Sequence, residues 1–301
     1  MTDRFEAMVA FVAVCDAPGF SAAARRLRVA PSVITRLVAG LEQRLGTRLL
    51  QRTTRSVRPT EAGDRFLERA RRILAEVEEA EAAAIGERSS PRGRLVVSAP
   101  LLFGRMHVGP LLTRLLAAHP DLSAELVLSD RYVSLVEEGM DVAVRIGVLP
   151  DSGLIARRVG ETRRVFVASP AYLAAHGGPP AHPADLARYE LVSFAPLFGT
   201  GEWRFVSADG NEARVAVQPR FGGNSGDAAI AHVLAGGGIA PVLSYQVAGY
   251  LAEGRLTRVL EGWAPGPSPI QVVYPGGRLV AGKVRAFLEA AEGMGKAWVF
   301  G

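Results

Sequence analysis

Phe20-Ser-Ala-Ala-Ala-Arg-Arg-Leu27, Arg28-Val-Ala30 and Pro31-Ser-Val-Ile-Thr-Arg-Leu-Val-Ala-Gly-Leu-Glu-Gln-Arg-Leu45 follow one another without interruption. Ser21 is suited to cap a short helix over 22–27 whose small residues let a neighbour approach closely. Pro31 suits the first position of the next helix, which stops at Gly46. Two helices joined by a turn of three or four residues are the helix-turn-helix pattern. Ile34, Leu37, Val38, Leu41 and Leu45 form the expected buried face of the second helix. Ser32, Val33, Thr35 and Arg36 lie near its start, mostly off that face. An Arg bonds guanine bidentately, and short hydroxyls reach phosphates or base edges in a major groove.

Upstream, Phe5, Met8, Val9 and Val12 are spaced for one more amphipathic helix, broken at Asp16-Ala-Pro-Gly19. Downstream, 48–58 alternates apolar and basic residues and reads as a two-stranded wing. Arg52, Thr53, Thr54 and Arg55 fall near its tip, where basic groups supply salt-dependent phosphate contacts. The charge agrees. Residues 1–60 hold ten Arg against four Asp or Glu, and the other 241 residues hold 25 basic and 26 acidic groups. The whole positive excess of the +5 chain therefore sits in its first fifth, which suggests a polyanion-binding face, with a solvated basic surface as the alternative.

Phe20-Ser-Ala-Ala-Ala24, Ser32-x-x-Thr35-Arg36, Leu41-Glu42-x-x-Leu45-Gly46-x-x-Leu49, Arg52-Thr-Thr-Arg55 and Thr60-Glu-Ala-Gly63 together resemble the N-terminal signature of the LysR-type transcriptional regulators. The match is ordered over about sixty residues. Ala30 departs from it, standing where the family often carries a capping Ser or Thr, and Thr35 replaces a common Ser. Ser21, Pro31, Ser32, Val33, Thr35, Arg36, Arg52, Thr53, Thr54 and Arg55 are the expected DNA-binding residues.

Thr60 can cap a long helix in which Phe66, Ala70, Ile73, Val77, Ala80 and Ala84 recur at heptad spacing. That seam is expected against a partner, with packing on its own chain as the alternative, and the resemblance implies an antiparallel linker pair that makes a dimer. Dimer and tetramer stay open, with the resemblance favouring a tetramer. The domain reading is 1–59 for the winged helix-turn-helix, 60–88 for the linker helix, 89–94 for a hinge and 95–301 for an effector domain.

Past the hinge, short apolar strands alternate with helices, which points to an α/β fold with a parallel sheet. Strands are expected at 95–98, 125–128 and 141–146, and helices at 110–118 and 133–138. A second lobe opens at 164–168, continues through a hairpin around 203–217 and a helix at 228–234, and the chain returns to the first lobe at 270–274. The resemblance implies two α/β lobes like those of periplasmic solute-binding proteins (95–162 with 267–301, and 163–266) and a small ligand between them. Ligands in such clefts sit at strand ends and helix N-termini. Ser98, Ala99, Pro100, Leu101, Phe103, Arg145, Ile146, Gly147, Phe194, Asn224 and Ser225 are the expected contacts. The stretch from Phe194 to Phe198 would cross near the hinge. Arg145 would meet a negative group, with an internal salt bridge as its alternative. Ser98, Asn224 and Ser225 would give hydrogen bonds, with plain capping as theirs.

Apolar residues make up 49% and charged residues 22%, ordinary for a globular chain. No apolar run approaches the roughly 18–20 residues that span a membrane. The single Cys15 excludes an internal disulfide and reads as a small core residue. The cytoplasm, with the nucleoid, is the expected location. No Ser stands in Gly-x-Ser-x-Gly, Gly236-Gly-Gly238 lacks the Lys of a phosphate loop, and the five His are scattered without metal spacing. Neither catalysis nor a metal or cofactor is expected. The expected partners are double-stranded DNA, a small-molecule effector, further copies of the chain and RNA polymerase, with no membrane. The rival reading is a solute-binding protein with an accessory nucleic-acid-binding segment.

Overall fold

The computed structural model describes residues 3–17, 19–52, 57–84, 90–132, 134–149, 153–194, 201–207, 209–263, 266–276, 280–295 and 297–301. They form two compact units, 1–90 and 91–301.

The first unit begins with α1 (Arg4–Asp16), α2 (Phe20–Leu27) and α3 (Pro31–Leu45). The Asp3 carboxylate caps α1 by accepting from the Phe5 N–H. The α1 helix presents a different face from the one its large residues suggest. Ala7, Ala10, Phe11 and Val14 are buried, while Phe5, Met8, Val9 and Val12 are only half-buried. Alanines contribute little to an apolar count, yet they let α1 lie close to α3. Cys15 is half-buried against the same core. Burial, and then the neighbouring Asp16 charge, pushes its thiol up to about 11, so it stays un-ionised at neutral pH. Ser21 does not cap α2. The helix starts two residues earlier than expected, because Gly19 takes a left-handed φ of 101° and serves as the N-cap. In α3 the buried face is Ile34, Leu37, Val38 and Leu41. Leu45, in the last turn, is 42% exposed instead of buried.

The wing consists of β1 (Leu50–Arg52) and β2 (Val57–Pro59), antiparallel with Leu50 opposite Pro59. Then α4 (Glu61–Ala84) starts at Thr60, whose hydroxyl accepts from the Gly63 N–H and donates to the Arg48 carbonyl. A Cβ on Gly63 would meet the Leu49 carbonyl oxygen at 2.0 Å, so only glycine lets the helix pass this closely. Part of the expected heptad seam is used within the chain. The Phe66 ring meets Phe11 edge-on at 5.5 Å, and Ala70 is fully buried. One turn further on, Ile73 is 44% exposed. The side chains of Ala80 and Ala84 lie outside the described residues.

The second unit opens with β3 (Gly93–Ala99), so the expected hinge overlaps a strand; Ser89 is outside the described residues. The chain continues as α5 (Leu101–Phe103), a π-helical segment (Gly104–Val108), α6 (Gly109–Ala118), β4 (Leu122–Leu128), β5 (Val142–Ile146) and β6 (Leu154–Thr162). The expected helix at 133–138 is instead a turn over 135–139, which Gly139 ends with a φ of 71°; Val133 itself is not described. Leu135 and Met140 bury themselves against Ala143 and Val273, which one turn achieves without a longer helix.

Next come β7 (Arg164–Ala168), α7 (Pro170–Ala175), a 3-10 turn (Pro183–Arg188), β8 (Val192–Phe194), the hairpin β9 (Glu202–Val206) and β10 (Glu212–Ala216), and β11 (Phe221–Gly223). They are followed by α8 (Gly226–Leu234), β12 (Ala240–Leu243), α9 (Ser244–Ala252), β13 (Thr257–Val259), β14 (Ser268–Pro275) and α10 (Gly282–Gly293). The larger sheet has the order β4-β3-β5-β14-β6. Its β4, β3 and β5 are parallel, as the alternation predicts, whereas β14 runs antiparallel to both its neighbours. The chain thus leaves the first lobe after β6, builds the sheet β12-β7-β13 in the second, and returns through β14. One continuous apolar core, from Leu95 and Phe103 to Val242 and Phe287, joins the lobes.

Candidate functional site

In the first unit the N-terminal turns of α3 bring Pro31, Ser32, Thr35 and Arg36 to the surface, with Val33 half-buried behind them. Their exposure follows from the burial of Ile34, Leu37 and Val38 on the opposite side of the helix. Ala30 is the N-cap and offers no side-chain bond, so the first N–H groups of α3 keep no side-chain partner there. The Thr35 hydroxyl donates to the Pro31 carbonyl at 3.0 Å. Arg36 makes no ion pair with any described residue, leaving its fork available. Ser21 is also exposed, on α2.

Arg52 is placed differently from the other candidates. Its Nη2 lies 2.8 Å from Glu42 Oε2, and its guanidinium sits over the Phe20 ring at 4.8 Å. Glu42 Oε1 accepts from the N–H groups of Leu49 and Leu50. Glu42 and Arg52 therefore tie the end of α3 to the wing, a role the sequence reading did not give to either. Thr53, Thr54 and Arg55 lie outside the described residues.

In the second unit a cleft opens between the lobes. From the first lobe it is lined by Pro100, Ser129, Asp130, Arg131, Tyr132, Arg145 and Ile146. From the second it is lined by Phe194, Leu243, Tyr245 and Gln246. Pro100, Arg145, Ile146 and Phe194 are thus brought together as the strand ends suggested. Ser98 stands behind them, fully buried, with its hydroxyl 3.3 Å from Arg145 Nη1. Ala99 is buried in β3, and Leu101 donates its N–H to Asp130 Oδ1 at 3.0 Å. Gly147, with a φ of 106°, ends β5 and accepts from Gln271.

Phe103 faces away from the cleft. It packs in an aromatic cluster with His107, Tyr245, Trp298 and Phe300, at ring distances from 4.8 to 6.4 Å. Asn224 is exposed, and Ser225 is the N-cap of α8 without a side-chain bond; neither lines the cleft. The second lobe instead contributes the turn from β12 into α9. Of the stretch read as a crossing near the hinge, Phe194 ends β8, and residues 195–198 lie outside the described residues.

Arg145 dominates the cleft's electrostatics. It is 5% exposed, and apart from Ser98 its Nη1 reaches only the Val144 carbonyl, at 3.5 Å. Nη2 is buried with no partner. The Tyr132 ring lies 5.9 Å away. Burial lowers the guanidinium's pKa, with Tyr132 and Glu138 acting against that, and arginine remains a cation throughout. Among the described residues no carboxylate is within ion-pair distance of it, which gives the salt-bridge alternative no support there. At Asp130, burial raises the carboxyl, opposed by the Leu101 N–H and reinforced by the Asp227 charge. Burial likewise pushes the Tyr245 phenol well up. Among the described residues no group of His, Cys, Asp or Glu is arranged to hold a metal, and no helix is long and apolar enough to cross a membrane.

Residues 5–64 match the family model described as a bacterial regulatory helix-turn-helix protein of the lysR family, and residues 88–295 match the LysR substrate binding domain. The transcriptional regulator CrgA of Neisseria meningitidis is 34% identical over 290 residues, covering 96% of each chain. The regulator PtxR of Pseudomonas aeruginosa is 35% identical over 284 residues, covering 94% of this chain and 90% of that one. The solved structure of CrgA superposes with a TM-score of 0.61 over 96% of this chain and 98% of that one, at 34% identity. The full-length structure of the Vibrio cholerae virulence activator AphB gives 0.62 over 96% and 99%, at 28% identity. The two family models cover nearly the whole chain between them, the relatives are about a third identical over nearly all of it, and the chain belongs to the LysR-type transcriptional regulators.

Proposed function

We propose that the cleft binds a small anionic metabolite and that its occupancy sets how the helix-turn-helix engages a specific DNA site. The observation that carries this is Arg145. Its Nη2 is buried and unpartnered, and leaving a charged donor unpaired in a protein interior costs several kcal/mol. A carboxylate or phosphate entering the cleft supplies the missing acceptor in bidentate geometry. Ser32, Val33, Thr35 and Arg36 read the bases, and copies of the chain pair so that two such helices meet two half-sites. The ligand is bound rather than transformed, RNA polymerase is the further partner, and a reader of the chromosome works in the cytoplasm with the nucleoid.

The test uses the full chain, DNA from its own upstream region, and fractionated metabolite extracts. Wild-type protein changes its DNA affinity or footprint with an anionic fraction. Arg145→Gln keeps DNA binding but requires at least about ten-fold more of that fraction for the same change, as expected when a charged hydrogen bond is removed. An unaltered response in Arg145→Gln would falsify the anion reading.

A further inference from the structure

The cleft has a second pole. Asp130 lines it, half-buried, on the segment that follows β4. Its Oδ1 accepts from the Leu101 N–H, and it forms no ion pair with any described cation. Arg131, next to it in sequence, is exposed at the rim and uses its own N–H on Ser129. Arg145 lines the same cleft, yet is within ion-pair distance neither of Asp130 nor of any other described acid. Asp227 from the second lobe adds its negative charge near Asp130, and the Tyr245 phenol feels both acids. Asp227 itself is held by Arg105 at 3.1 Å. The cleft is therefore lined by a buried cation lacking an anion and by a desolvated acid lacking a cation among the described residues. Pro100, Ile146, Phe194 and Leu243 line the same cleft, and none of them offers a side-chain hydrogen bond.

Building on the anion reading, we propose that the effector is an amino carboxylate, a zwitterion that meets both charges of the cleft. Its carboxylate meets Arg145 Nη2, and its ammonium meets Asp130 beside Tyr245. A single anion would satisfy Arg145 but leave Asp130 desolvated and unpaired. A zwitterion satisfies both and leaves the cleft's net charge unchanged.

The experiment is calorimetric titration of the full-length protein with matched probes. These are 6-aminohexanoate against hexanoate, 4-(aminomethyl)benzoate against 4-methylbenzoate, and alanine against propionate. In the wild type at least one amino carboxylate binds about ten-fold or more tightly than its plain partner, in line with one added charged hydrogen bond. In Asp130→Asn, which keeps an oxygen for the Leu101 N–H, the amino and plain partners bind alike; in Arg145→Gln both weaken. Plain carboxylates binding the wild type as well as the amino ones would overturn the second pole and leave the anion reading standing. Weak binding of every probe, unaffected by Arg145→Gln, would count against both. The wild-type comparison decides the question even if a variant fails to fold.

Discussion

Glu42 shows how much of the wing's geometry rests on one carboxylate. Its two oxygens take the Leu49 and Leu50 N–H groups and the Arg52 guanidinium, and its side chain is only 14% exposed. Removing it leaves two part-buried backbone donors unpaired and frees Arg52 from the wing's base. Glu42→Ala should therefore cost about 2–4 kcal/mol in urea unfolding of the DNA-binding unit. Glu42→Gln keeps an acceptor oxygen for the two N–H groups and loses only the charge on a partly exposed pair, so its cost should stay near about 1 kcal/mol or less. Equal losses in the two variants would mean that the ion pair, and not the capping of the strand, carries the stability. The Leu41-Glu42 dipeptide was visible as a motif, but its purpose was not. A partner seven or eight residues downstream lies beyond any helical or strand periodicity.

The π-helical segment between α5 and α6 inserts an extra residue that no pattern in the sequence announced. Gly104 makes it possible, since a Cβ there would meet Leu128 Cδ2 at 2.1 Å. The segment sets His107 against Phe103, Tyr245 and Phe300, with its Nε2 buried and unpartnered. Burial holds this imidazole's pKa below the usual histidine value, so the unfolded chain takes up its proton first as pH falls. Stability is then lost on acidification through the unfolded pKa, about 6.5, and is fully present above it. His107→Phe removes the unpaired nitrogen and this proton uptake. It should stabilise the second unit by about 1 kcal/mol at pH 7.5 and by more at pH 5.5, measured by thermal unfolding at both. The wrong face assigned to α1 and the helix expected at 133–138 share a different cause: apolar spacing fixes a periodic element's existence better than the side it buries or where it stops. The same holds for α4, whose seam divides after Ala70. Ile73, exposed within the chain, is the described residue best placed to meet a second copy. Ile73→Glu should raise the self-association constant for dissociation about ten-fold or more in analytical ultracentrifugation, whereas an unchanged constant would place the interface elsewhere.

The two lobes were legible because the strand alternation and the return at β14 are local patterns, and Pro100, Arg145, Ile146 and Phe194 followed from the rule that ligands meet strand ends. Tyr245 and Gln246 escaped because β12, the strand they follow, is too short to announce itself. Ser129 to Tyr132 escaped although they continue a recognised strand. Asn224 and Ser225 were chosen as a helix start, and many helix starts only cap. At the level of the molecule, the charge division was the most durable feature, and the structure sharpens it into a difference between arginines. In the first unit Arg25, Arg28, Arg36, Arg44, Arg48 and Arg58 are exposed without an ion pair to a described residue, whereas Arg52 is neutralised by Glu42. An arginine already paired releases few counterions on meeting a phosphate. The logarithm of DNA affinity against the logarithm of salt concentration falls with a slope of about 0.9 per neutralised phosphate. Arg36→Gln should flatten that slope by about 0.9 for each protomer in contact, and should also relax the preference for the cognate site if the same side chain reads a base. Arg52→Gln should leave the slope within about 0.3 of the wild type while lowering the stability of the unit. The reverse order, with Arg52→Gln flattening the slope and Arg36→Gln leaving it alone, would mean that DNA pulls Arg52 away from Glu42 and that the wing rearranges on binding.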